Sequence, residues 1–167
     1  MDVWYFAYGS NLWTDQMRTR VGSIGRPERP PRIARLAGYR LVFQQCEPDG
    51  NAYANIVAAD AGLLGRGMSG QSVLGVVYRL NEAELAKLDA YEHGYERRPI
   101  TVVDLGRKTT DGETLDAVAY IVRPADDLHI GRPSEAYLSR IITGARQHGL
   151  PESYIDEVIA IASIDAS

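Results

Sequence analysis

One cysteine, Cys46, stands in 167 residues, so the chain can form no intramolecular disulfide, as suits a reducing cytoplasm. The three histidines, His93, His129 and His148, lie far apart, and none has a second His or Cys at metal-ligand spacing. A protein-built zinc site is therefore not expected, which removes the simplest route to metal-assisted hydrolysis. A basic excess is also missing. The 18 Lys and Arg are scattered and outnumbered by 22 Asp and Glu, for a formal charge of −4, whereas a nucleic-acid binder needs a basic face to neutralise phosphates. No apolar run approaches the roughly 18 residues of a membrane span, and no basic leader precedes the first apolar segment. Internal repeats and low-complexity tracts are absent.

The composition that remains, 45% hydrophobic and 24% charged, is that of an ordinary globular chain long enough to bury a core as one domain over residues 1–167. Its pattern reads as strands with a few interspersed helices and two helices at the end. Val3 to Tyr8 is a strand, and Asn11 to about Arg20 a short helix that Ser10 or Asn11 can cap. Gly25 to Pro31 is too proline-rich to be regular. Arg32 to Gln44 alternates as one long or bent strand with a bulge at Gly38. A turn over Glu47–Asn51 leads to a weak strand at Ala54 to Ala58, and the four glycines of Gly62–Gly70 mark a loop. Ser72 to Leu80 is an apolar, central strand. Asn81 and Glu84 form a capping box for a helix to about Tyr91, with Leu85 and Leu88 facing the core. Pro99 to Leu105 and Thr114 to Val122 are strands joined at Thr110–Gly112. Ser134 caps a helix with Tyr137, Leu138, Ile141, Ile142 and Ala145 on one stripe. Pro151 starts a last helix through Ala162. Few crossover helices separate the strands, so a doubly wound sheet is not expected, and the pattern fits a mostly antiparallel or mixed sheet, either open or closed into a barrel.

Two segments carry candidate chemistry. In Tyr5-Phe6-Ala7-Tyr8-Gly9-Ser10-Asn11-Leu12 an aromatic strand breaks into small residues and then a helical pattern, leaving backbone N–H groups open at the corner. Tyr5, Phe6 and Tyr8 would wall an adjacent pocket. Ser10 lacks the surroundings of a nucleophile elbow, so the turn reads as an oxyanion or carboxylate cradle rather than a nucleophile site. In Leu88-Asp89-Ala90-Tyr91-Glu92-His93-Gly94-Tyr95, Asp89 and Glu92 fall at a helix C-terminus, where the macrodipole opposes carboxylates. Two neighbouring acids, that helix end and nearby rings all favour the protonated form, as a general base requires. His93 reads as an exposed helix-end residue. Arg97 and Arg98 flank a strand on the solvent side, and Tyr120 and Tyr137 sit at packing positions. Cys46 has no histidine nearby in sequence. The Gly62–Gly70 glycines match neither a phosphate loop nor a dinucleotide fingerprint.

Taken together the two segments resemble the γ-glutamylcyclotransferase family, which includes AIG2-like proteins. Tyr5–Leu12 is similar to its N-terminal signature, and Leu88–Glu92 followed by Gly94-Tyr95 to its catalytic-glutamate segment. Ser72–Tyr78 resembles the strand before that segment, and Ala136–Ala145 with His148–Pro151 the closing helix. The resemblance implies an α+β fold: a compact mixed, mostly antiparallel β-barrel with surrounding helices. It implies Glu92 as the catalytic acid and base, and Tyr8, Gly9, Ser10, Asn11, Tyr95 and Tyr120 as substrate-binding residues. It implies no metal and no organic cofactor. The short spacing from Glu92 to Tyr95, tighter than in several members, leaves the position of Tyr95 open.

The implied reaction cyclises a γ-glutamyl amine or peptide to 5-oxoproline in the cytoplasm. The partner is a small-molecule γ-glutamyl substrate, without nucleic acid or membrane. Alternatives that the residues leave standing are a γ-glutamyl-processing step in a biosynthetic pathway, a non-catalytic small-ligand-binding module, and an interaction protein using the Gly62–Gly70 loop. Apolar positions on the last helices can pack on the core or on a second copy, as a homodimer.

Overall fold

The computed structural model describes residues 1–22, 29–45, 50–59, 71–106, 112–123 and 129–164. Cys46 and the Gly62–Gly70 loop lie outside these, as does most of the Thr110–Gly112 turn.

Five strands close into a barrel in the order β1 (Asp2–Ala7), β5 (Ser72–Asn81), β2 (Arg32–Ala37), β6 (Tyr95–Asp104) and β7 (Glu113–Val122). Four of its contacts are antiparallel. The fifth, which returns β7 to β1 through Trp4↔Ala117 and Tyr5↔Val118, is parallel. The barrel is therefore mixed and mostly antiparallel, as expected. β5 sits between β1 and β2, and its run of Val73, Val76, Val77 and Tyr78 is buried; branched and aromatic side chains suit such a pleated, enclosed surface. Gly75 permits the tight β1–β5 approach: a Cβ there would stand 2.2 Å from the Ala7 carbonyl oxygen and 2.8 Å from the Phe6 ring.

The expected long strand from Arg32 to Gln44 is instead two. Gly38 takes a positive φ of 80°, and the chain leaves the barrel at β2 to begin β3 (Tyr39–Gln45), which pairs with β4 (Ala52–Ala58) in a separate two-stranded sheet. A left-handed residue turns the strand rather than bulging it. Buried Asn55 ties this hairpin to the barrel, donating to Gln44 Oε1 at 2.7 Å while its Oδ1 accepts from the Val122 amide at 3.1 Å.

The first helical segment also differs. A 3₁₀ turn over Ser10–Leu12 precedes helix α1 (Thr14–Val21), whose N-cap is Trp13 without a side-chain cap. Neither Ser10 nor Asn11 caps it; both side chains serve the neighbouring site. The Asn81–Glu84 capping box opens α2 (Glu82–Asp89), which ends two residues before Tyr91. Ser134 caps α3 (Glu135–Gln147) through the Tyr137 amide at 3.1 Å. Helix α4 (Glu152–Ala162) follows Pro151, with Ile155, Val158 and Ala162 buried but Ile159 at the surface. Helix α3 lies directly on the 3₁₀ turn. A Cβ at Gly144 would stand 2.3 Å from the Leu12 carbonyl carbon and 2.4 Å from the Trp13 nitrogen, so only glycine allows that approach. The hydrophobic cluster runs continuously from the barrel interior, through Phe6, Tyr78 and Leu80, to Leu85 and Leu88 of α2 and Ile141 and Ile155 of the last helices.

Candidate functional site

Two chain reversals build the site. At the end of β1 the strand runs out at Ala7, and Gly9 enters the 3₁₀ turn, closed by Leu12 N–H to Gly9 O at 3.0 Å and Trp13 N–H to Ser10 O at 3.0 Å. Gly9 is small where it must be, since a Cβ would meet Ala54 Cβ at 3.2 Å and the Tyr137 hydroxyl at 3.4 Å. The first N–H groups of such a turn have no carbonyl one turn back to bond. From behind, the Tyr78 hydroxyl donates to the Asn11 carbonyl at 3.0 Å, and His148 Nε2 lies 3.0 Å from the Leu12 carbonyl. Burial lowers the proton affinity of His148, which keeps the imidazole neutral beside that carbonyl.

The second reversal follows α2. Tyr91 N–H bonds Leu88 O, Glu92 N–H bonds Asp89 O, and Gly94, at φ 81°, lets the chain turn into β6 at Tyr95. This places the Glu92 carboxylate against the N-terminal turn, its side chain 14% exposed. Glu92 Oε1 accepts a hydrogen bond from Asn11 Nδ2 at 2.9 Å and lies 3.6 Å from an Arg20 guanidinium nitrogen. Burial raises its pKa above the ordinary carboxylate value, and the charge of Asp89 adds to the rise. Arg20, the Asn11 hydrogen bond and His93 pull it down without cancelling the burial. The main cause is therefore desolvation; of the causes expected from the sequence, the neighbouring acid Asp89 contributes to the rise.

Asp89 does not share the cavity with Glu92. Its carboxylate takes Arg97 at 2.9 Å and the Tyr120 hydroxyl at 2.6 Å. Burial and the Asp89 hydrogen bond hold the Tyr120 phenol well above its usual range, as a neutral donor. The Tyr8 hydroxyl in turn donates to the Tyr120 backbone carbonyl.

Tyr8, Gly9, Ser10, Asn11, Glu92, Tyr95 and Tyr120 all line one cavity of about 40 Å³. Tyr5, Ala54 and Tyr137 complete it. Tyr5 accepts from Asn11 Nδ2 at 2.9 Å. The backbone of Ala54 is held from both sides: its carbonyl accepts from the Tyr95 hydroxyl at 2.7 Å, and its N–H donates to the Tyr137 hydroxyl at 3.0 Å. Burial pushes the Tyr137 phenol up to about 12. An outer chamber of about 280 Å³ adjoins this cavity across Ser10, Glu92, Tyr95 and Tyr137, and adds Arg20, Tyr53, Tyr91, His93 and Arg140. A larger groove of about 670 Å³ between α4 and strands β2, β3 and β5 contains none of these residues.

Sequence reasoning missed Arg20 and Ala54, and assigned Tyr137 to packing. Gln16 and Arg20 stand four apart on α1, hence on one face, which was a readable signal that both reach the same target. The hydroxyl of Tyr137 on an apolar stripe was another, because a buried phenol seeks a partner. Ala54 gave no signal, since its backbone does the work. Among the described residues no cluster of three or more His, Cys, Asp or Glu could hold a metal ion, and no helix is long and apolar enough to cross a membrane.

The closed, mixed barrel is a fold shared with solved γ-glutamylcyclotransferases. The model of the AIG2-like family matches residues 72–158, and the chain belongs to that family. That stretch includes Glu92, Tyr95, Tyr120 and Tyr137 but ends short of the N-terminal corner. The Gamma-glutamylcyclotransferase of Mus musculus is 28% identical over 162 residues, 94% of this chain and 77% of the mouse protein. The Homo sapiens Gamma-glutamylcyclotransferase is 29% identical over 163 residues, 96% of this chain and 79% of the human protein. A solved structure named Gamma-glutamyl cyclotransferase aligns with a TM-score of 0.72 at 26% identity, over 96% of this chain and 88% of that one.

Proposed function

We propose that this chain is a γ-glutamylcyclotransferase-like enzyme that releases 5-oxoproline from a γ-glutamyl amine or peptide, with Glu92 as general acid and base. One observation carries the reading: a buried carboxylate of raised pKa and the Gly9–Asn11 corner line the same small cavity. The names of the mouse and human relatives support it.

The reaction needs little beyond this. The substrate's α-amino nitrogen attacks its own γ-carbonyl carbon. A ring C–N bond forms, and the amide C–N bond to the leaving amine breaks. A free α-amine titrates near roughly 7.7–8, so at neutral pH much of it carries a proton that Glu92 must take. Burial moves the Glu92 carboxylate toward the range in which a base both ionises and accepts protons well. Glu92 then returns that proton to the departing nitrogen, and the second proton that the ring nitrogen sheds on becoming an amide leaves with the product amine or to water. Holding the glutamyl chain folded in the cavity supplies proximity, because the nucleophile is tethered to its target. The corner and its tyrosines bind the glutamyl part, as α-carboxylate or as oxyanion, and the leaving group extends into the outer chamber. Residues 1–167 work as one unit, with both halves of the chain contributing to the site.

The test is a panel of γ-glutamyl dipeptides, glutathione and γ-glutamyl amines incubated with the protein and assayed for 5-oxoproline. Release from at least one class is expected. Binding of these compounds without any product would leave a ligand-binding module instead.

A further inference from the structure

We infer that Arg20 is a positioning residue of this site, orienting the Asn11 amide and holding the Glu92 carboxylate in place from helix α1. The inference rests on the functional reading above and deepens it.

The geometry is a clamp with two arms. One Arg20 nitrogen donates to Asn11 Oδ1 at 2.9 Å, and the same nitrogen lies 3.6 Å from Glu92 Oε1. Gln16, one turn earlier on the same face, donates to the same Asn11 Oδ1 at 3.0 Å and to Ser10 Oγ at 2.7 Å. With two donors on its oxygen, the Asn11 amide has one sensible orientation. Flipped, its NH₂ would face a guanidinium and its oxygen would face a carboxylate. The orientation so fixed sends Nδ2 to Glu92 and Tyr5, both at 2.9 Å. The guanidinium is itself seated, 4.9 Å over the Tyr91 ring, with its side chain 20% exposed. Arg20 therefore acts on Glu92 directly and through Asn11.

A pH effect follows from this placement. The other titratable groups acting on Glu92 are Asp89 from α2, His93 from its own turn, Tyr5 from β1, Tyr120 from β7 and Tyr137 from α3. Arg20 is the largest charge among them that favours ionised Glu92, and its removal should make the carboxylate hold its proton to higher pH.

Arg20→Met and Arg20→Lys are compared with wild type by steady-state release of 5-oxoproline from a γ-glutamyl dipeptide across pH. Carboxyl-observed NMR titration of Glu92 is run on the same proteins. Arg20→Met should lower kcat about 10–100-fold with KM changed less than threefold, and move the acid limb of kcat/KM upward. Arg20→Lys should restore the limb but only part of kcat, since an ammonium lacks the planar guanidinium that lies over the Tyr91 ring and seats the contacting nitrogen. Wild-type kcat and an unmoved limb in Arg20→Met overturn the inference. If the wild-type protein makes no 5-oxoproline from any compound, the functional reading fails, and the Glu92 titration alone decides the clamp. An upward shift in Arg20→Met upholds it and an unchanged titration refutes it. Should Arg20→Met not fold, the same measurements on Arg20→Lys and Gln16→Leu decide it. Loss of kcat in both supports the clamp, and wild-type kcat in both refutes it.

Discussion

The side-chain amide of Asn11, in the 3₁₀ turn that follows the first strand, donates to the carboxylate of Glu92 across 81 positions of sequence, at 2.9 Å. This bond joins the N-terminal corner to the acid after α2. Hydrogen bonds to charged groups contribute about 1.5–3 kcal/mol, and each 1.36 kcal/mol is a factor of ten in rate. Asn11→Leu should therefore lower kcat by about 10–100-fold while circular dichroism still reports a folded barrel. Unchanged kcat would mean that the bond plays no part in turnover.

Stability should record the burial of Glu92. Its folded pKa lies above the ordinary carboxylate value because of desolvation. The folded state thus holds a proton that the unfolded chain has already released. That contribution to stability is fully present below the unfolded value and is lost as pH rises through the folded one. At neutral pH ionised Glu92 opposes folding, and a glutamine does not. Thermal melts of Glu92→Gln and wild type should coincide in mild acid and separate as pH rises, the variant melting at or above wild type. A variant that melts lower at neutral pH, with the gap closing in acid, would show that the site favours the charge.

Gly144 sets the distance between α3 and the 3₁₀ turn. A valine there would drive its Cβ into the backbone of Leu12 and Trp13. Overpacking of this kind costs about 1–3 kcal/mol. Gly144→Val should lower Tm and also weaken substrate binding, because the displaced element is the corner itself. Lost stability with an unchanged KM would separate the packing from the site.

Arg140 reaches the outer chamber from α3 and donates to Gln16 Oε1 at 3.3 Å. A leaving group with a carboxylate would meet this exposed cation. Exposed ion pairs contribute up to about 1 kcal/mol, or roughly fivefold in KM. Arg140→Ala should raise KM by about that factor for γ-glutamyl amino acids and leave γ-glutamyl alkylamines unaffected. An equal effect on both would assign Arg140 to general support of the turn.

Much of this was legible because the signals are local. The Asn81–Glu84 capping box, the Ser134 cap, the branched run of β5 and the small residues at Gly9-Ser10-Asn11 each announce their structure within a few positions. The break at Gly38 was hidden because the alternation of Arg32–Gln44 continues through it. A bulge and a change of sheet look alike until the partner strand β4 is known. The contribution of Ala54 was unreadable, since it offers backbone groups to Tyr95 and Tyr137 whatever its side chain. Read from the residues alone, Asp89 and Glu92 looked equivalent, and only the family resemblance singled out Glu92. What separates them is tertiary: Arg97 and Tyr120 take the first, while burial beside Asn11 takes the second.

The most direct measurement is turnover by Glu92→Gln beside its binding of 5-oxoproline, the expected product. A positioned acid/base contributes about 10²–10⁴-fold. The account predicts a fall in kcat of that size, with calorimetric affinity for 5-oxoproline within a few-fold of wild type. Wild-type turnover by Glu92→Gln would contradict it.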